Sequence, residues 1–195
     1  MALRIIGGLA RGRRLGSMPG KLTRPTGDRV REALFNILGQ RLDGWCFLDV
    51  CAGSGAVALE ALSRGAGEDV ALEEDPGLCR HIQGEAARLD LAEGLDVRRG
   101  DARSELRTLR RQGKPLFHAA FVDPPWKKET LRQEILEILF EESPLCQLVV
   151  VEFPSDASEP VAPAGAKLTR RADYGGTALA FYEPEKEPPR RKKPV

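Results

Sequence analysis

Trp45-Cys46-Phe47-Leu48-Asp49-Val50-Cys51-Ala52-Gly53-Ser54-Gly55 is the stretch that decides the fold. Trp45 to Val50 is apolar apart from Asp49, the pattern of a strand covered on both faces. Gly53 and Gly55 then make a turn, and Ala56 to Ser63 reads as a helix that Gly65 stops. In an open α/β sheet, a strand that passes through a glycine turn into a helix opens a crevice for ligands, because the helix N-terminus points into it.

The same rhythm continues downstream. Val70 to Leu72 is a second short strand, and Asp75-Pro76 supplies a capping residue and a first-turn proline for a helix running to about Leu89. Leu95 to Arg99, a helix around Ser104 to Arg111, Phe117 to Val122, a helix from Thr130 to Phe140 and Leu148 to Glu152 extend the alternation. This predicts an α/β fold with a mostly parallel sheet. Past Pro154, Lys167 to Arg171 and Ala178 to Tyr182 are joined through Tyr174-Gly175-Gly176-Thr177, which reads as a closing antiparallel hairpin. Upstream, Val30, Ala33, Leu34, Ile37 and Leu38 form the stripe of an amphipathic helix, with Thr26 to Asp28 available to start it. Before it, Leu3 to Ile6 and Arg13 to Leu15 flank Gly7-Gly8 and Gly12 as a small basic hairpin or arm, too small to fold alone. The expected division is residues 1–25 as the basic arm, 26–183 as the main domain and 184–195 as a disordered basic tail.

A chain of 195 residues buries one proper core. No apolar run approaches the roughly 20 residues of a membrane helix, and the N-terminus lacks the apolar centre of a signal peptide, so a cytoplasmic location is expected; a monomer is expected as well. Cys46, Cys51, Cys79 and Cys146 form no Cys-x-x-Cys pair and, with only His81 and His118 to join them, fit no zinc template. No metal is expected, and His118 reads as a strand residue. The net charge of +1 conceals an uneven distribution: residues 1–31 carry eight Lys or Arg against the single acid Asp28, while the central body is acidic. A basic arm beside an acidic body suits a protein that grips phosphates with one part and does chemistry with another. A merely solvated arm is the plainer alternative.

Two segments carry chemistry. Around the glycine turn, Gly53 and Gly55 permit close approach of backbone to ligand, since a Cβ at either place would push the ligand away. Ala52 and Ser54 complete the loop. Glu73 ends the next strand, placed to accept both hydroxyls of a ribose, and Asp101, followed by Ala102, ends the third and can accept from an adenine amine. Gly53-Ser54-Gly55-Ala56-Val57-Ala58 also satisfies the dinucleotide pattern, so an NAD-dependent oxidoreductase stays open. Asp49 weighs against it: a carboxylate beside the loop repels a pyrophosphate but suits the cationic methionine end of S-adenosylmethionine.

The second segment is Asp123-Pro124-Pro125-Trp126. Each proline fixes its own φ and keeps the preceding residue out of the helical region, so the peptide is a rigid, extended array of acceptors. An exocyclic amine on a base is a poor nucleophile because its lone pair is delocalised into the ring. The Asp123 carboxylate and Pro124 carbonyl can accept its two protons and aim the lone pair at an electrophile, while Trp126 offers a face for a flipped base. Alone, the tetrapeptide is also compatible with a proline-stiffened turn.

These residues resemble the RsmD-type 16S ribosomal RNA guanine-N2 methyltransferases. The similarity covers Arg4-Ile5-Ile6-Gly7-Gly8, Arg11-Gly12-Arg13, Thr23-Arg24-Pro25-Thr26, Asp28-Arg29-Val30-Arg31-Glu32, Leu34-Phe35-Asn36, the glycine motif continuing into Leu59-Glu60-Ala61-Leu62-Ser63-Arg64-Gly65-Ala66, the Asp-Pro-Pro-aromatic motif and Tyr174-Gly175-Gly176-Thr177. Val50-Cys51 stands where relatives usually have Leu-Phe, Trp126 where Phe or Tyr is usual, and Ala86-Ala87 in a helix that commonly carries an Asn. The resemblance implies a Rossmann-like class I methyltransferase fold, S-adenosylmethionine as donor, and a guanine of small-subunit RNA, within partly assembled particles, as target. It implies Asp49, Gly53, Gly55, Glu73 and Asp101 as cofactor contacts and Asp123 to Trp126 as the catalytic motif. Arg11, Arg13, Arg14, Arg24, Arg29 and Arg31 are then expected on RNA phosphates. A DNA adenine-N6 methyltransferase shares the Asp-Pro-Pro-aromatic logic and is the nearest rival, and a noncatalytic RNA-binding assembly factor is a further one.

Overall fold

The computed structural model describes residues 3–18, 27–113 and 116–185. The chain runs α1 (Asp28–Leu38), β1 (Cys46–Val50), α2 (Ala56–Ser63), β2 (Glu68–Glu73), α3 (Pro76–Arg88), β3 (Leu95–Arg99), α4 (Ala102–Arg111), β4 (Ala119–Val122), α5 (Glu129–Phe140), β5 (Val149–Pro154), β6 (Ala166–Tyr174) and β7 (Thr177–Pro184). The seven strands form one sheet ordered β3-β2-β1-β4-β5-β7-β6. The first five are parallel, and β7 and β6 close the sheet antiparallel. The most apolar strands, β1, β4 and β5, take the central places because helices cover them on both faces. At the edge, β6 exposes Lys167 and Arg170, charges that discourage pairing with another chain.

Each face of the sheet has its own core. Leu106 and Leu109 of α4 and Ile135, Leu136 and Leu139 of α5 pack on one face. Leu34 and Phe35 of α1, Val57 and Leu59 of α2 and Ala86 of α3 pack on the other. β1 has β2 on one side and β4 on the other, so its carboxyl end is the point where strand order reverses and loops splay apart.

α2 is buried along its whole length, Ala56 through Ser63. A helix apolar on nearly all sides needs a second cover besides the sheet, and residues 3–15 provide it. The Ile5 amide donates to the Arg13 carbonyl and the Leu15 amide to the Leu3 carbonyl, making the expected small hairpin. The Ile6 and Gly7 amides donate to the two oxygens of Glu60, each at 2.7 Å. Glu60 is 0% exposed and pairs with Arg64 at 2.8 Å. Gly8 has φ +74, and a Cβ there would lie 1.7 Å from the Ser63 carbonyl oxygen, so only glycine lets the arm close onto the helix.

The helix α1 begins at Asp28, within the segment expected to start it, after Gly27 and without a side-chain cap, and Asp28 pairs with Arg4 and Arg31; Thr26 lies outside the described residues. One local expectation is corrected. His118 sits just ahead of β4 rather than within it. Its Nδ1 accepts from the Cys46 amide at 3.0 Å and its ring stacks on Trp45 at 5.4 Å, a structural role. The expected tail, 184–195, lies outside the described residues beyond Glu185.

Candidate active site

One cleft of about 670 Å³ opens over the carboxyl ends of β1, β2 and β4, lined by Asp49, Ala52, Gly53, Ser54, Glu73, Asp101 and Ala102 on one side and Asp123, Pro124, Pro125 and Trp126 on the other. The two segments singled out by sequence therefore face the same space. Parallel register explains it: Val50 is the partner of both Leu72 and Val122, so the residues that follow each strand emerge at one level.

The glycine loop is held by carboxylates from below. Glu73 accepts from the Gly53 amide at 2.8 Å and from the Asp75 amide at 2.9 Å. Its remaining lone pairs stay available to a ligand in the cleft. Asp49 is 2% exposed and accepts from the Ala58 amide, in the first turn of α2, at 3.1 Å. Burial pushes its carboxyl up to about 7; the bond from Ala58 opposes that rise and the charges of Asp123 and Glu73 add to it. Asp101 caps α4 by accepting from the Arg103 and Ser104 amides. The Arg103 guanidinium grips the same carboxylate at 2.9 Å and reaches Glu134 of α5 at 2.8 Å. That hydrogen-bonded pairing holds the Asp101 carboxyl below its ordinary range.

The two glycines serve different ends. A Cβ on Gly53 would meet nothing nearer than the Cys51 carbonyl at 3.9 Å and would project into open space, as expected for a residue that leaves room for a ligand. Gly55 does not line the cleft. With φ +70 it turns the chain into α2, and a Cβ there would strike Ile82 of α3 at 2.8 Å. Packing of α2 on α3 is thus a reason for glycine here in addition to the expected ligand contact, and both neighbours, Ser54 and Ala56, line the cleft. Cys51, also in the cleft, adopts φ +65 without being glycine, and burial raises its thiol far from any nucleophilic form.

The lining carries the carboxylates of Asp49, Glu73, Glu74, Asp75, Asp101, Asp123 and Glu152 and a single base, Lys128. Such a field repels a pyrophosphate and attracts a cation. Glu152, within β5, was not singled out by sequence, although it lies just where the parallel β4–β5 pairing stops, as Glu73 ends β2 and Asp123 follows β4. Arg132 of α5 donates to the Trp126 carbonyl at 3.1 Å, tying the Asp-Pro-Pro-Trp loop to the helix behind it.

Of the arginines expected on RNA, Arg11, Arg13, Arg14 and Arg29 are exposed. Arg13 folds back onto the backbone carbonyls of Arg88 and Leu89 and pairs with Asp90 at 3.4 Å. Arg31 is 0% exposed and donates to the Arg4 carbonyl at 2.6 Å and to Asp28 at 3.0 Å. A guanidinium enclosed between α1 and the arm does not reach a phosphate, so that expectation is overturned. Arg24 lies outside the described residues. The arm contacts the carboxyl-terminal halves of α2 and α3, whereas the amino ends of both helices edge the cleft. With eight helical residues in α2 and thirteen in α3, the arm sits roughly 10–20 Å from the cleft.

The sheet order, the cleft at the strand-order reversal and the carboxylates at the strand ends define the Rossmann-like fold of the class I S-adenosylmethionine-dependent methyltransferases. The chain belongs to the family described as Conserved hypothetical protein 95, the RsmD family, which matches residues 3–183. It is similar to Ribosomal RNA small subunit methyltransferase D of Escherichia coli (strain K12), with 36% identity over 186 residues, 94% of this chain and 90% of that protein. Among solved structures, a hypothetical protein from Thermus thermophilus superposes with a TM-score of 0.76 at 35% identity, over 93% of this chain and 99% of that one. An RNA methyltransferase from Salinibacter ruber, solved with S-adenosyl-L-homocysteine, shares the fold at a TM-score of 0.60 and 19% identity, over 87% of this chain and 100% of that one.

Proposed function

We propose that this protein transfers a methyl group from S-adenosylmethionine to the exocyclic N2 of a specific guanine in bacterial small-subunit (16S) ribosomal RNA. The observation that carries the reading is the common cleft of Asp49 to Ser54 and Asp123 to Trp126. The cleft fits the donor: Gly53 leaves space, Glu73 ends a strand beside it for the ribose, Asp101 stands at the adenine end, and the acidic lining suits a cation. Bound there, the cofactor supplies an electrophilic methyl group on a sulfonium. Asp123 and the Pro124 carbonyl hold the two amine protons and leave the nitrogen lone pair directed across the cleft, while Trp126 stacks the base. Positioning supplies most of the acceleration, and no strong base is required. The relative named Ribosomal RNA small subunit methyltransferase D supports the choice of RNA.

In the same reading the protein acts as a cytoplasmic monomer on small-subunit particles, with Arg11, Arg13, Arg14, Arg24 and Arg29 on RNA phosphates. No described helix is long and apolar enough to cross a membrane. Mass analysis of ribosomal RNA incubated with the protein and labelled cofactor tests the reading, with N2-methylguanine at one position expected. Asp123→Ala should abolish transfer while calorimetry still detects cofactor binding; retained activity would refute the role of Asp123.

A further inference from the structure

Glu152 stands next to the catalytic motif on the neighbouring strand. Val122 and Val151 are partners in the parallel β4–β5 register, so Asp123, the first residue after β4, comes next to Glu152, which is still within β5. Glu152 is 4% exposed, and its side chain lines the same cleft as Asp123, Pro124 and Trp126. On its far side it is the partner of Leu179 in β7, which fixes the backbone at this point. The wall opposite the glycine loop thus presents two carboxylates in a row.

That spacing distinguishes among the exocyclic amines of the bases. Guanine N2 adjoins N1–H, a ring donor. Adenine N6 adjoins N1, and cytosine N4 adjoins N3, both ring acceptors. A second carboxylate beside the one that holds the amine therefore complements guanine and sets acceptor against acceptor for the other two. We propose that Glu152 is a specificity residue that accepts the guanine N1–H while Asp123 holds the N2 amine, so that the β4–β5 strand ends select guanine. The inference rests on the proposed guanine-N2 activity and deepens it.

The test compares small-subunit RNA carrying guanine at the methylated position with the same RNA carrying 2-aminopurine there. The analogue keeps the amine at C2 but has an acceptor at N1. Wild-type protein should prefer guanine by about 10- to 100-fold, the discrimination of one hydrogen bond to a charged group. Glu152→Ala should reduce the guanine rate by about that factor and the 2-aminopurine rate far less, collapsing the preference. Glu152→Gln guards against a folding defect: its amide can donate to the analogue's N1, so the 2-aminopurine rate should rise relative to guanine. S-adenosylhomocysteine binding by calorimetry reports whether each variant keeps the cleft. An equal fall on both substrates, or a preference of wild-type size in Glu152→Gln, would overturn the proposal. If wild-type protein methylates guanine N2 and the preference ignores Glu152, only this inference fails; if its product is not N2-methylguanine, the underlying activity fails with it.

Discussion

In the proposed role of Asp49 as partner of the cofactor's cation, cofactor binding should depend on pH in a calculable way. The Asp49 carboxyl is raised to about 7, chiefly because burial disfavours the charge. Below that value the group is neutral and attracts no cation; above it the carboxylate is formed and does. The attraction is therefore present at alkaline pH and is lost as pH falls through about 7. With affinity proportional to the ionised fraction, roughly nine-tenths is ionised at pH 8 and one-tenth at pH 6, so S-adenosylmethionine should bind about tenfold more weakly at pH 6, near 1.4 kcal/mol. Binding at pH 6 should also release close to one proton, measurable by calorimetry in buffers of different ionisation enthalpy. Asp49→Asn keeps an oxygen for the Ala58 amide, so the loop should hold while the dependence flattens and affinity at pH 8 drops toward the acidic value. A wild-type affinity that is flat between pH 6 and 8, or an Asn variant with the wild-type slope, would refute the assignment of Asp49 as the cation partner.

Two further outcomes concern the scaffold. Glu60→Ala removes the acceptor of two arm amides and strands the buried Arg64. A loss of roughly 3–5 kcal/mol is expected, seen as a fall in Tm of about 6–20 °C for a chain of this size; a shift below about 3 °C would show that the arm is not clamped. Asp69, on β2, is fully buried, and neither carboxylate oxygen has a hydrogen-bond partner among the described residues. Burial, then the charges of Asp49 and Glu68, hold its carboxyl well above the ordinary range. Because the folded state binds its proton more tightly than the unfolded chain, this group costs stability progressively as pH rises above the ordinary carboxylate pKa, by about 1.4 kcal/mol per unit until the native value is passed. Denaturant unfolding of Asp69→Asn should thus show a gain over wild type that grows from pH 5 to pH 8, and a gap independent of pH would exclude the mechanism.

Most of the element order could be read from apolar runs and their punctuation. The helix Ala56 to Ser63 and the strand Leu95 to Arg99 have the expected bounds, because glycine and capping signals stand at their ends. The turn of Gly175 and Gly176 between β6 and β7 was equally plain. Where bounds moved, long-range pairing moved them: β2 gains Glu68 and Asp69 from pairing with Cys46 and Phe47, contacts that no local propensity encodes. The two chemical segments were legible because the reacting groups need residue types that structural turns do not require together, and the sheet brings both into one cleft.

The sequence by itself determined the alternation of strands and helices, the carboxylates and glycines of the two loops, and the family, since these reside in local pattern and residue identity. Only the tertiary structure decided what each side chain faces. It turned Arg31 inward under the arm, packed Ile82 against Gly55, and set Glu152 beside Asp123 across a strand register separated by 29 positions in the chain. Burial and adjacency between distant segments depend on how elements pack against one another, and a one-dimensional pattern records the elements without their neighbours.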